Sequence, residues 1–246
     1  MRGWWQEITG LVLPADCAGC GHPRTALCDA CAWALHGRPA ARVRPAPAPA
    51  GLPEVWAAAP YQDAVRAMLL AHKERGALGL ARPLGKALAG AVRGLAGAGR
   101  GLGAPGGPAV MLVPVPSARR VVRARGHDAV RRVAGEAARA LREAGVAALV
   151  VPALRQRRAV ADQAGLDAAR RLVNLAGALD VVPGQERLLR GGRIVLVDDL
   201  MTTGASLAEA ARAVRAGAGA GEATGGWVVG AAVVGASPKA FAINRN

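Results

Sequence analysis

Apolar positions along this chain follow two rhythms, and the change between them divides it. From Tyr61 to His72 the apolar positions Val65, Met68 and Leu69 recur near helical spacing, and after a break at Gly76 the pattern resumes from Leu78 to Val92. Residues 54 to about 93 therefore read as two helices, because a stripe recurring every three to four positions is one face of an α-helix. From Ala109 onward short apolar runs alternate with longer amphipathic stretches. Strands are predicted at Val110–Val115, Val146–Val151, Ile194–Val197 and Trp227–Val234, and helices at Arg119–Gly145, Leu166–Leu179 and Leu207–Ala216. The polar stretch Arg155–Gly165 reads as a loop. Alternation of this kind needs crossover connections, so the expected fold is α/β with a largely parallel sheet.

Turn-forming residues mark the joints. Gly94–Pro108, GLAGAGRGLGAPGGP, reads as a flexible loop, and residues 38–53, RPAARVRPAPAPAGLP, as a Pro/Ala linker whose prolines lack N–H donors. The predicted organisation is a cysteine-bearing segment over 1–37, the linker over 38–53 and a main domain over 54–246. Within that domain, 54–108 forms a helical hood with its loop and 109–246 the α/β core. No apolar run approaches the roughly 20 residues that cross a bilayer. The start, MRGWWQEITGLVLPADC, has one early arginine, Glu7, and Asp16 before Cys17, unlike an export signal, so the expected location is cytoplasmic.

Charge changes the picture only in part. A net charge of +15 invites a phosphate-bearing partner, because clustered cations release counterions from phosphates. Lysine occurs only at Lys73, Lys86 and Lys239, so 29 of the 32 basic residues are arginine. With the excess of Ala, Gly, Pro and Val, this reads as codon bias, which accounts for much of the charge but not for its clustering. An aromatic content of 3% leaves little material for base stacking.

Two stretches carry chemistry. In Arg193–Ser206, RIVLVDDLMTTGAS, a strand apolar on both faces ends in Asp198 and Asp199, then passes through Thr202, Thr203 and Gly204 into a helix. Carboxylates at that edge can accept hydrogen bonds from a ribose hydroxyl pair. A helix start supplies unpaired N–H groups for a 5′-phosphate, with Thr202, Thr203 and Ser206 as further donors. The second stretch is Cys17-x2-Cys20-x7-Cys28-x2-Cys31, which uses every cysteine in the chain. Two CxxC knuckles can present four thiolates to a structural Zn²⁺. Two disulfides are the rival, disfavoured in a cytoplasmic protein, and His22 and His36 read as bystanders.

The Asp198-Asp199 and Thr202-Thr203-Gly204 string resembles the phosphoribosyl pyrophosphate (PRPP) motif of type I phosphoribosyltransferases, with Ser206 where a threonine is usual. Leu112–Ala134, LVPVPSARRVVRARGHDAVRRVA, resembles the strand, Pro-x-Pro loop and basic helix of the ComF family, competence-associated phosphoribosyltransferase-like proteins. Arg158–Leu175, with Gln163, Gly165, Leu166, Arg171 and Asn174, resembles the same family, as do HKERG at His72–Gly76 and the cysteine-bearing start. The resemblance covers nearly the whole chain. It departs at His127 and Asp128, where the family commonly has an aromatic and an amide.

The resemblance implies a type I phosphoribosyltransferase-like fold that binds PRPP through Asp198, Asp199, Met201, Thr202, Thr203, Gly204, Ala205 and Ser206. Pro114, Val115, Pro116 and Ser117 would hold the pyrophosphate, and Mg²⁺ would arrive with PRPP. The Arg155–Gly165 loop takes the place of the mobile catalytic loop, with Arg157, Arg158 and Arg171 beside Asp198 and Asp199 as the candidate catalytic set. A role in natural competence implies contact with single-stranded DNA through Arg119, Arg120, Arg123 and Arg125, and with competence helicase-type proteins. The alternative is a metabolic transferase moving phosphoribose to a base or amine, and a third reading is a PRPP-sensing regulator.

Overall fold

A computed structural model describes residues 16–100, 107–158, 168–190, 192–218 and 227–244. The cysteine segment leads into helix α1 (Asp29–His36), then strands β1 (Ala41–Val43) and β2 (Val55–Pro60) and helices α2 (Asp63–Glu74) and α3 (Ala81–Leu95). The second rhythm gives β3 (Val110–Pro114), α4 (Arg119–Arg125), α5 (Ala129–Glu143), β4 (Ala148–Val150), β5 (Leu154–Gln156) and α6 (Ala168–Leu175). It closes with β6 (Leu179–Val181), α7 (Glu186–Arg190), β7 (Arg193–Met201), α8 (Ala205–Ala218), β8 (Trp227–Ala236) and a 3-10 segment, Pro238–Asn244.

Six strands form one sheet in the order β1-β2-β8-β7-β3-β4. Every neighbouring pair is parallel except β1 with β2, so the molecule is α/β with a mostly parallel sheet and flanking helices. β5 and β6 pair antiparallel with each other apart from that sheet. Strand β7 is central, which explains why Ile194–Val197 is apolar at every position. Its side chains alternate between two cores: Val195 and Val197 join Leu88, Val92, Val133 and Leu141, whereas Ile194 and Leu196 join Leu189, Leu207, Ala211 and Val214. Helices α3 and α5 therefore cover one face and α8 the other. The seam between α3 and α5 is rich in alanine, with Ala87, Ala91, Ala134 and Ala137 all buried, so the two backbones approach closely.

Several segments depart from the sequence expectation. Val55–Pro60 is a strand rather than part of the first helix, because β8 offers it a parallel ladder from Val55↔Ala231 to Pro60↔Ala236. The Pro/Ala segment is no free tether: β1 closes the sheet edge against β2, and the Arg44 N–H donates to the Ala240 carbonyl at 3.0 Å. Proline is tolerated there because an edge strand leaves one row of donors unused. The basic helix divides at Gly126, whose φ of +76° ends α4, and the Asp128 carboxylate caps α5 by accepting the Arg131 N–H at 3.0 Å. The glycine-rich stretch continues α3 as one π-helical turn over Ala96–Arg100. The polar loop begins as β5, and the helix predicted to reach Leu179 stops at Leu175 and gives way to β6. The remainder of that loop, with Gln163 and Gly165, lies outside the described residues.

Helices α2 and α3, predicted as a hood, occupy different places. α3 lies on the sheet face against α5 and β8, whereas the end of α2 reaches the carboxyl edge of the strands. The cysteine segment shares the main core, since Cys17, Cys31 and Leu35 cluster with Val65, Met68 and Leu84.

Candidate functional site

Strand β7 outruns its neighbour β3. Their ladder ends at Pro114↔Val197, with one further bond from the Val115 N–H to the Val197 carbonyl at 2.9 Å. On the other side the ladder with β8 continues through Asp198↔Val233 to Met201↔Ala236. Asp198 and Asp199 thus sit where β7 has lost one partner, at the edge where parallel sheets bind ligands. Asp199 is 4% exposed and Asp198 half-buried, with Asp198 Oδ1 accepting the Asp199 N–H at 2.8 Å. Burial, and then repulsion from Asp199, hold the Asp198 carboxyl well above the usual range, against the pull of Lys73.

Lys73, in the last turn of α2, places Nζ 2.7 Å from Asp199 Oδ2. Desolvation would lower its pKa, but attraction to Asp199 and Asp198 raises it. Two contacts fix that turn. The Arg125 guanidinium grips both oxygens of Glu74, with Nε 2.9 Å from Oε2, and His127 Nε2 stands 3.1 Å from the His72 carbonyl oxygen. His72 is buried edge-on to His127, with centroids 5.7 Å apart, and burial followed by repulsion from His127 pushes its pKa down to about 4. Lys73 is the site residue that sequence reasoning misses. Its signal is present in the HKERG string, but nothing in helical periodicity says that the lysine faces a carboxylate from a strand 126 positions later.

After the buried Met201 the chain turns through Thr202 and Thr203 to Gly204. Gly204 has φ +78°, and a Cβ there would stand 3.1 Å from the Leu52 side chain, so the turn requires glycine. The Ala208 N–H reaches back to the Gly204 carbonyl at 2.9 Å, opening α8, and Thr203 Oγ1 lies 3.5 Å from the Ala205 nitrogen. Ala205 is buried and Ser206 half-buried. Acid pair, hydroxyl turn and helix start therefore lie in one continuous stretch.

Across the gap left by β3, Pro114, Pro116 and Ser117 line a cavity of about 410 Å³ together with Arg119, Arg123, Arg131, Arg155 and Gln156. A neighbouring cavity of about 480 Å³ shares Arg119, Arg155 and Gln156 and adds Arg120, Arg157 and Arg158. The two linings hold one acid, Asp128, already engaged as the α5 cap. Arg155 Nε is buried with no hydrogen-bond partner among the described residues, a group suited to an anion. Arg158 donates to the carbonyls of Asn174 and Ala176, both at 2.9 Å, and so ties β5 to the end of α6. Arg125 faces α2 instead, on Glu74. Neither lining includes Asp198 or Asp199. The side chain of Arg171 lies outside the described residues.

The four cysteines converge as their spacing predicts. Their Sγ atoms all lie within 4.8 Å of one another, and among the described residues they are the one group of three or more potential ligands so placed. Cys28 Sγ is 3.6 Å from both Cys17 Sγ and Cys20 Sγ. The edge of a tetrahedron with Zn–S bonds of about 2.3 Å is about 3.8 Å. Burial would raise the Cys17 thiol, yet N–H groups of Cys28, Cys20 and Gly19 hold it down to about 6, as a metal-ready thiolate requires. Burial and the neighbouring thiols push Cys31 up. The cluster could hold a metal ion such as zinc, and neither His22 nor His36 belongs to it.

Among the described residues no helix is long and apolar enough to cross a membrane. No protein-family model matches the chain, and no curated protein is significantly similar to it in sequence.

Proposed function

We propose that this chain is a ComF-type, type I phosphoribosyltransferase-like protein that binds PRPP and acts on single-stranded DNA in natural competence, in the cytoplasm and alongside helicase-type partners. The observation that carries the phosphoribose part is the continuity of Asp198 and Asp199 with the Thr202–Gly204 turn and the start of α8 at an open carboxyl edge. In this reading the acid pair takes the ribose 2′- and 3′-hydroxyls and the turn cradles the 5′-phosphate. The pyrophosphate lies toward Ser117, within reach of Arg119 and Arg155. Zinc in the cysteine cluster is structural. Mg²⁺ supplies charge neutralisation on the pyrophosphate and is carried by ligand oxygens, because the described protein residues offer it no cluster of carboxylates.

The arginine-lined cavities favour a second reading, an active transferase. An acceptor nitrogen would attack C1′ and lose a proton, while the bond from C1′ to the pyrophosphate oxygen breaks and the electron pair leaves with pyrophosphate. Cations beside Ser117 would stabilise that departing charge. Calorimetric titration with PRPP and Mg²⁺ tests the shared core of both readings. Binding is expected in the parent protein and lost in Asp198→Ala/Asp199→Ala; equal affinity in the double variant would sink the assignment. Pyrophosphate release with candidate acceptors separates the transferase from the binding protein.

A further inference from the structure

The PRPP reading brings a divalent cation to the site, and the nearest protein carboxylate is Asp199. That carboxylate is already engaged. Its side chain is 6% exposed, and Lys73 Nζ meets Oδ2 at 2.7 Å. The other acid, Asp198, commits Oδ1 to the Asp199 N–H. No third ligand group stands close enough to complete a metal site with them among the described residues.

We infer that Lys73 is the resident counter-ion of the acid pair and stands where a divalent cation would otherwise be needed, so that the ribose end of the ligand is bound without metal. The inference rests on the phosphoribose reading. Two adjacent carboxylates in a poorly hydrated edge cannot both hold charge without a cation, because neither can shed the repulsion of the other into solvent. Metal-binding proteins meet that need with an ion. Here the chain supplies an ammonium from α2, and it fixes the ammonium's origin. The Glu74–Arg125 pair and the His127 contact to the His72 carbonyl pin the residues flanking Lys73 to the corner between α4 and α5. A lysine suits the task because its compact charge satisfies Oδ2 and leaves the rest of the pair to accept hydroxyls. Lys73 is thus a positioning residue that acts through Asp199. Mg²⁺ in this account serves the pyrophosphate alone.

Ribose 5-phosphate is the discriminating probe, since it carries the sugar and phosphate but no pyrophosphate to import metal. Its affinity for the parent protein should change less than about twofold between EDTA and millimolar Mg²⁺, which is about 0.4 kcal/mol. Lys73→Met should bind about tenfold or more weakly in EDTA, the effect of leaving a buried charge unpaired, and should recover on adding Mg²⁺. Lys73→Arg should stay close to the parent in both buffers. Thermal melts of the free variants show that each is folded before titration. A tenfold Mg²⁺ requirement in the parent, or a Lys73→Met variant indistinguishable from it in EDTA, would overturn the inference. Failure of the parent protein to bind ribose 5-phosphate or PRPP in either buffer would instead remove the phosphoribose reading on which it rests.

Discussion

His72 shows how one side chain makes the site sensitive to pH. It is 2% exposed, and its Nε2 has no hydrogen-bond partner among the described residues. Its pKa is pushed down from 6.5 to about 4 by burial and then by His127, with Asp199 opposing and Arg132 and Lys73 adding to the effect. A histidine with a depressed folded pKa binds fewer protons folded than unfolded between those two values. Its contribution is therefore present above about pH 6.5 and lost as pH falls toward 4. The shift corresponds to roughly 3 kcal/mol. Urea melts between pH 4.5 and 7.5 should show stability rising with pH, and His72→Gln should flatten that slope; an unchanged slope would show that other groups set it. At this scale the sequence reveals Asp198, Asp199 and Gly204, whose types are unusual at the end of an apolar strand. It hides Lys73 and the Asp128 cap, whose roles depend on partners brought in by tertiary packing.

The cysteine segment is the element whose stability depends most on something outside the polypeptide. It has few apolar residues of its own, and without an ion four thiols crowded within 4.8 Å have little to hold them in register. Yet α1 also packs on α2, α3 and β2, so loss of the metal should loosen a docked element and not merely a tail. Metal analysis should find about one zinc per chain. Chelation, or Cys28→Ser, should lower the melting temperature by several degrees, equivalent to a few kcal/mol; a melt indifferent to chelator would mean that packing alone holds the segment. Elements with a clean signal are legible from sequence: β7 through its unbroken apolar run, α2 and α3 through their stripes. β2, β5 and β6 are not. Each has six residues or fewer, without alternation, and becomes a strand only because β8, or its partner in the short pair, offers hydrogen bonds.

Across the whole molecule, the charge of +15 gathers at one place. Arg119, Arg120, Arg123, Arg131, Arg155, Arg157 and Arg158 line two linked cavities beside Ser117, on elements as distant in sequence as α4 and β5. Sequence alone shows that the helix is basic but not that β5 adds its own arginines to the same place, because that juxtaposition is made by the sheet. Binding of a single-stranded oligonucleotide should weaken linearly in log salt. Arg119→Ala/Arg120→Ala/Arg123→Ala should reduce the slope by roughly one for each phosphate no longer neutralised. Arg125→Ala should leave it nearly unchanged, since that guanidinium is engaged with Glu74. Equal effects of all four positions would indicate a diffuse charge attraction instead of a groove. The central claim is the location of the phosphoribose site, and hydrogen exchange with and without saturating PRPP and Mg²⁺ tests it most directly. Protection is predicted at Asp198–Ser206 and Pro114–Ser117, with little change across Cys17–Cys31; protection absent from β7 and the turn after it, or confined to another face, would contradict the account.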